Sequence, residues 1–440
     1  MKRRIEIFLN EWKNSPDRKP LVLSGARQVG KTYSLLAFGR EYYDNVVHIN
    51  LDVNGIVRGY FEEDIAPARI IQMLEGEIHE TILPEKTLII LDEIQASERA
   101  LTSLKYFCED APEYHIAAAG SLLGVAINRD KYSFPVGKVQ SATMYPLDFE
   151  EYLIARGEDY LSEEIRNHYE IAGRMPVSLH EKAIRLYREY LILGGMPVSI
   201  SAYISGKKLI EIPAIQQEIM DNYIADMTKY ASTSESVRIR ACYNSIPAQL
   251  GKENSKFQYK VVQKGGTATH FGEAIDWLEQ AGVVQKCLRT NRGETPIAAY
   301  EDLSSFKLYM ADVGILAMKS GIQQSVILSN VHNIFAGALI ENYVAQQLTA
   351  LGFKLHYWRS AHAAELDFLV EHQGEILAIE VKRSEHTKSR SLSVFKDTYR
   401  PDRAVKLSLK NFGYADGVFS VPLYATHCID KAPAQAIPRK

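Results

Sequence analysis

Residues Gly25-Ala26-Arg27-Gln28-Val29-Gly30-Lys31-Thr32 satisfy the pattern G-x-x-x-x-G-K-[ST] at every fixed position. An apolar run, Leu21-Val22-Leu23, precedes them, and a helix-compatible stretch, Ser34 to Phe38, follows. Strand, glycine-rich loop and helix in that order make a phosphate cradle. Gly25 and Gly30 permit backbone angles that a Cβ resists. The N–H groups of the loop then converge on phosphate oxygens at a helix N-terminus, where the dipole favours negative charge. Lys31 would reach the β- and γ-phosphates of ATP, and Thr32 would hold Mg²⁺. The plainer alternative is a glycine-rich turn beside a strand.

Val46 to Ile49 reads as a second strand and Thr87 to Glu93 as a third. The third is apolar and ends in Asp92-Glu93, a Walker B pattern. Asp92 would bind Mg²⁺ through water, and Glu93 would orient or polarise the attacking water. The pattern is short, and its weight comes from its place downstream of the loop. A fourth strand, His115 to Ala119, leads to Gly120-Ser121. Ser121 at that tip would sense the γ-phosphate or serve as a cap. Alternating strands and helices imply an α/β fold with a parallel sheet and a ligand at the C-terminal ends of its strands.

A chain of 440 residues has room for about three domains. Its net charge of −3 excludes a generally basic nucleic-acid coat, so any nucleic-acid contact needs a local patch. No apolar run approaches the ~20 residues of a membrane-spanning helix. The basic start, Met1-Lys2-Arg3-Arg4, lacks the apolar core of a signal peptide. Cys108, Cys242, Cys287 and Cys428 form no C-x-x-C pair, which fits a reducing cytoplasm and gives no zinc signal. A cytoplasmic protein without membrane contact is expected.

The loop, Leu91-Asp92-Glu93-Ile94-Gln95, Ala119-Gly120-Ser121, the Tyr145 to Leu153 segment Tyr-Pro-Leu-Asp-Phe-Glu-Glu-Tyr-Leu, and Gly194-Gly195-Met196-Pro197 together resemble one family. It is the prokaryotic AAA-type ATPases that carry a C-terminal domain of unknown function. The resemblance covers essentially the whole chain and implies an ATP-binding P-loop domain. Where the family usually has Gly-Arg before the Tyr-Pro-Leu segment, this chain has Gly137-Lys138. A lysine keeps the charge but loses the bidentate fork of arginine. Slow hydrolysis, or service by another arginine such as Arg129, is the implied consequence.

Four regions are expected: a P-loop ATPase domain over 1–150, a helical lid over 151–235, a winged helix over 236–325 and a nuclease-like α/β domain over 326–440. The lid rests on helical periodicity from Glu181 to Leu193 and from Ala214 to Tyr230, with the Gly194-Gly195 stop between. An AAA core is normally followed by such a lid, so its role comes from the resemblance. The winged helix rests on helices at Val237 to Leu250 and Phe271 to Leu278, then strands at Val283 to Leu288 and Pro296 to Tyr300. Its recognition helix carries Glu273, Asp276 and Glu279 on one side, where they would repel phosphates. A protein contact is favoured there, or a DNA grip confined to the wing residues Lys286, Arg289 and Arg292.

In the last region, Ile334 to Leu348 reads as a helix bearing Glu341. Phe353 to Trp358, Ala364 to Val370 and Ile376 to Lys382 read as strands. Residues two apart in a strand share a face, so Glu380 and Lys382 point together, with Asp367 across the hairpin. Carboxylates hold Mg²⁺, and a nearby lysine orients the attacking water. Glu341, Asp367, Glu380 and Lys382 occur in the order of the PD-(D/E)xK nucleases, which this region resembles. That makes Glu341, Asp367 and Glu380 candidate metal ligands, and Asp367, Glu380 and Lys382 candidate catalytic residues beside Glu93. From Lys382 to Lys410, nine Lys/Arg face three Asp/Glu, a local basic patch. The structural alternative is a set of cross-strand surface charges.

Two functions stay open at this point. One is an ATPase coupled to a nuclease-like module acting on nucleic acid. The other is a nucleotide-dependent switch that engages a protein partner, with the nuclease-like module silent. The sequence leaves the oligomeric state open.

Overall fold

A computed structural model describes residues 1–121, 123–127, 134–252, 255–329, 333–360, 364–383, 390–431 and 433. The chain divides into two compact units. One comprises Lys2–Tyr145 with Gln280–Gly282, and the other comprises Pro146–Glu279 with Val283–Lys440.

The N-terminal unit holds five strands: β1 (Leu21–Ser24), β2 (Asn45–Asn50), β3 (Thr87–Asp92), β4 (His115–Ala119) and β5 (Gln140–Thr143). They pair in the order β2-β3-β4-β1-β5, every pair parallel. Strands β3 and β4 are buried throughout, as expected of a sheet covered on both faces. Helices Gly55–Glu63, Pro67–Ile78 and Glu98–Asp110 bury Val57, Phe61, Ile70, Leu74, Leu104 and Phe107 in the core that includes Ile89 and Leu91. The side chains of Asn54 and Ser97 accept the N–H groups of Val57 and Ala100, which fixes where two of these helices start. Leu23 pairs with Ala119, so the chain leaves β1 and β4 side by side, and the phosphate loop and Ser121 begin at the C-terminal ends of two neighbouring strands.

The second unit contains one eight-stranded mixed sheet. Its strands are β6 (Val284–Thr290), β7 (Glu301–Met310), β8 (His356–Arg359), β9 (Glu365–His372), β10 (Glu375–Val381), β11 (Arg403–Ser408), β12 (Gly413–Ala415) and β13 (Val418–Pro422). Their order is β12-β13-β11-β10-β9-β8-β6-β7. The sheet crosses residue 325, because β6 pairs parallel with β8. Strands β6 and β7 pair antiparallel, and through β8 they are continuous with the strands that carry Asp367 and Glu380, so the regions expected over 236–325 and 326–440 share one sheet. The return strand, β7, also differs from the expected one. Ile297–Tyr300 is a 3-10 turn and the strand begins at Glu301. Pro296 lacks the N–H that a sheet ladder needs.

The helices of 151–235 belong to this second unit. Helix Val177–Leu193 ends at Gly194, whose φ is 68°. A Cβ at Gly194 would lie 2.1 Å from Asp312 Oδ1. Asp312 accepts N–H bonds from Gly195 at 2.6 Å and Ile315 at 2.9 Å. The Gly-Gly stop is thus pinned to the start of helix Val313–Ser320 by one buried carboxylate. Among the described residues, no helix is long and apolar enough to cross a membrane.

Candidate functional site

The phosphate loop runs from β1 into helix Lys31–Tyr42. Gly25 has φ 140°, Gln28 φ 67° and Gly30 φ 97°. A Cβ at Gly25 would lie 2.1 Å from the carbonyl oxygen of Met144, so only glycine fits. Ala26 and Val29 are buried, whereas Arg27 and Gln28 are exposed. Gly30, a glycine in the left-handed region, precedes the helix and supplies no side-chain cap. Lys31 is buried, and its Nζ donates to the carbonyls of Gly25 and Ala26, both at 2.9 Å. It curls over the loop it would share with phosphate.

Thr32 Oγ1 donates to Asp92 Oδ2 at 2.8 Å. The two residues expected to hold Mg²⁺ therefore meet, although sixty residues separate them. His48 Nε2 lies 3.4 Å from the same Asp92 oxygen. Burial alone would push the Asp92 carboxyl up, but hydrogen bonds from His48, Thr32 and the Glu93 N–H outweigh it and hold the carboxyl below its ordinary pKa. Asp92 is an anion ready for a cation. Glu93 adopts φ 51° and receives Gln95 Nε2 at 2.5 Å and Ser121 Oγ at 3.4 Å. This set suits Mg-nucleotide: a glycine cradle, a lysine, a hydroxyl beside a carboxylate, and a second carboxylate held by an amide.

Two contributors escaped the sequence reading. Arg3 Nη1 donates to the Val29 carbonyl at 2.8 Å and Nη2 to the Tyr145 carbonyl at 2.7 Å, bracing the loop from below. His48 was read only as part of a strand. Lys138, in place of the family arginine, pairs with Glu109 at 2.8 Å. Arg129 lies outside the described residues.

The second group lies in the C-terminal unit. Helix Ile334–Ala350 carries Glu341, β9 carries Asp367 and β10 carries Glu380. Each has a partner already. Glu341 Oε1 accepts from Lys307 Nζ at 2.7 Å and from the Tyr309 hydroxyl at 2.6 Å. Asp367 Oδ2 accepts the Val381 N–H at 2.7 Å. Glu380 Oε2 accepts the Leu392 N–H at 2.9 Å, capping helix Arg390–Tyr399, and its other oxygen meets Lys382 Nζ. Glu341 and Asp367 feel each other, whereas Glu380 is turned to the helix cap. Burial and the Glu341 charge raise the Asp367 carboxyl to about 7. Among the described residues, no three His, Cys, Asp or Glu side chains converge as a metal site. The expected ligands Glu341, Asp367 and Glu380 each carry a protein partner instead.

Lys307 was not expected. It sits on β7, 2% exposed, with Nζ also 2.8 Å from Glu365 Oε1. Burial alone would lower its pKa, but Glu341, Glu365 and Asp367 outweigh that and hold it above the ordinary lysine value. A lysine inside the run Phe306-Lys307-Leu308-Tyr309-Met310 was the available signal, since buried charges must be paired. Lys286, expected on a nucleic-acid-gripping wing, instead pairs with Asp276 at 3.0 Å and Glu279 at 3.1 Å.

Family models match three stretches of the chain. Residues 17–153 match the model of an AAA domain family. Residues 184–326 and 336–425 match two different domains of unknown function, DUF8612 and DUF4143. The AAA match overlaps the N-terminal unit, which carries the phosphate loop. Uncharacterized proteins of Mycobacterium bovis and Mycobacterium tuberculosis are each 39% identical to this chain over 80 residues. That stretch is 18% of this chain and 18% of each relative. Among solved structures, AMPPCP-bound DnaA of Aquifex aeolicus shares 14% identity, with 62% of this chain and 86% of that one covered at a TM-score of 0.27. ORC2 of Aeropyrum pernix, solved with ADPNP and ADP, shares 12% identity over 76% and 91% at a TM-score of 0.31. A RuvB variant of Thermotoga maritima shares 16% identity over 66% and 86% at a TM-score of 0.25. Superpositions this loose fix no residue-to-residue correspondence.

Proposed function

We propose that this chain is a Mg-dependent ATPase whose nucleotide state controls a C-terminal unit that engages a protein partner, the nuclease-like layout in that unit being catalytically silent. The Thr32–Asp92 hydrogen bond of 2.8 Å carries the ATPase reading, because it joins the phosphate loop to the Walker B carboxylate. Gly25 to Thr32 would hold the phosphates, and Thr32 and Asp92 would hold the metal. Mg²⁺ bound with nucleotide supplies charge neutralisation at the phosphates. Glu93, oriented by Gln95 and within reach of Ser121, accepts the proton of the attacking water.

The silent reading of the C-terminal unit is supported by the partners already held by Glu341, Asp367 and Glu380. Lys286, committed to Asp276 and Glu279, supports a protein partner over DNA. The nuclease reading draws on the basic stretch from Lys382 to Lys410 and the proximity of Glu341 to Asp367. One experiment separates the two: incubation of single- and double-stranded DNA and RNA with Mg²⁺ or Mn²⁺, with and without ATP, using wild type, Lys31→Ala and Asp367→Ala. ATP turnover lost in Lys31→Ala, with no substrate cut by any protein, is the expected result. Cleavage that disappears in Asp367→Ala would establish an ATP-linked nuclease instead. Sedimentation of the same samples with and without ATP reads any self-association.

A further inference from the structure

We infer that Lys307 is a built-in cation: its ammonium takes the place among Glu341, Glu365 and Asp367 that a divalent metal would need, so this cluster binds no metal in the native protein. The inference rests on the silent reading of the C-terminal unit and gives it a physical cause. Nζ lies 2.7 Å from Glu341 Oε1 and 2.8 Å from Glu365 Oε1. The side chain is 2% exposed, so it cannot exchange these partners for water without rearrangement of the strand that carries it. The Tyr309 hydroxyl donates to the same Glu341 oxygen at 2.6 Å, and the Tyr357 ring faces the ammonium with its centroid 5.1 Å away. A divalent ion bound by Glu341 and Asp367 would sit beside a fixed positive charge in a poorly screened interior. The remaining expected ligand, Glu380, is engaged by the Leu392 N–H and Lys382. The residues present do not fit a metal centre. They fit a partly neutralised cluster that ties β7, β9 and helix Ile334–Ala350 together.

The test is Mn²⁺ binding to the full chain without nucleotide, followed by the paramagnetic resonance of free Mn²⁺, for wild type, Asp367→Asn, Lys307→Met and Lys307→Met/Asp367→Asn. Wild type should show no site that Asp367→Asn removes. Lys307→Met should gain one, at least ~10-fold tighter than any wild-type binding, and the double variant should lose it. A wild-type site abolished by Asp367→Asn overturns the inference, as does a folded Lys307→Met that gains nothing. If Lys307→Met does not fold, the wild-type comparison decides alone. Metal bound without cleavage of nucleic acid would overturn only this inference, whereas cleavage would overturn the silent reading as well.

Discussion

Two carboxylate sites in one chain are finished in opposite ways. Asp92 is held below its ordinary pKa by hydrogen bonds from His48, Thr32 and the Glu93 N–H. Glu341, Glu365 and Asp367 surround an ammonium that is already there. Under the proposed function, the first arrangement receives its cation with the nucleotide. The second carries its own. On this account a carboxylate serves as a ligand or as a structural tie, depending on whether the fold supplies the counter-charge.

The comparison breaks most visibly at Lys31. Lys31→Ala should weaken ATP binding ~100-fold or more, as one charge-assisted contact to the phosphates disappears from a buried loop; calorimetry showing unchanged affinity would remove the N-terminal half of the contrast. Glu93→Gln should leave ATP affinity within a few-fold and cut turnover by ~10²- to 10³-fold, the usual contribution of a positioned base. In the C-terminal unit, Lys307→Met should lower stability by about 3 kcal/mol in denaturant unfolding, because Glu341 and Glu365 lose the ammonium that pairs with both. A change below about 1 kcal/mol would show that the ammonium is incidental to folding.

A pH profile sharpens the same point. The Asp367 carboxyl is raised from an ordinary 3.8 to about 7, so the folded state holds a proton that the unfolded state releases. Its ionisation therefore costs stability above pH 7, and the cost is relieved as pH falls from about 7 toward 3.8. Asp367→Asn should remove that dependence: the variant should gain on wild type at pH 8 and lose the advantage near pH 5. Parallel profiles would show that Asp367 stays ionised throughout. The smallest effect is expected at Lys286→Ala. Its partners Asp276 and Glu279 are well exposed, and the loss should stay within about 1 kcal/mol.

The N-terminal site was legible because its chemistry is written locally. Eight contiguous residues make the cradle, and an apolar strand delivers Asp92 to it. What stayed hidden there is long-range: Arg3 reaches the loop from near the start of the chain, and His48 reaches Asp92 from a neighbouring strand. In the C-terminal unit the carboxylates were legible and their meaning was not. Spacing gives the faces of Glu380 and Asp367, but not that Leu392 is capped by one and Val381 is bound by the other. Lys307 lay in a region assigned to a different domain. Only the sheet order, with β6 and β7 joined to β8, shows that the region is continuous with the one bearing Glu341 and Asp367. The two turns of chain around Pro296 disguised that continuity, since the return strand starts later than its apolar residues imply.

The most direct measurement is the number of Mn²⁺ ions bound per chain in the presence of a non-hydrolysable ATP analogue. The account predicts one ion, lost in Lys31→Ala and indifferent to Asp367→Asn. A second ion, or a single ion that persists without nucleotide and vanishes in Asp367→Asn, would contradict it.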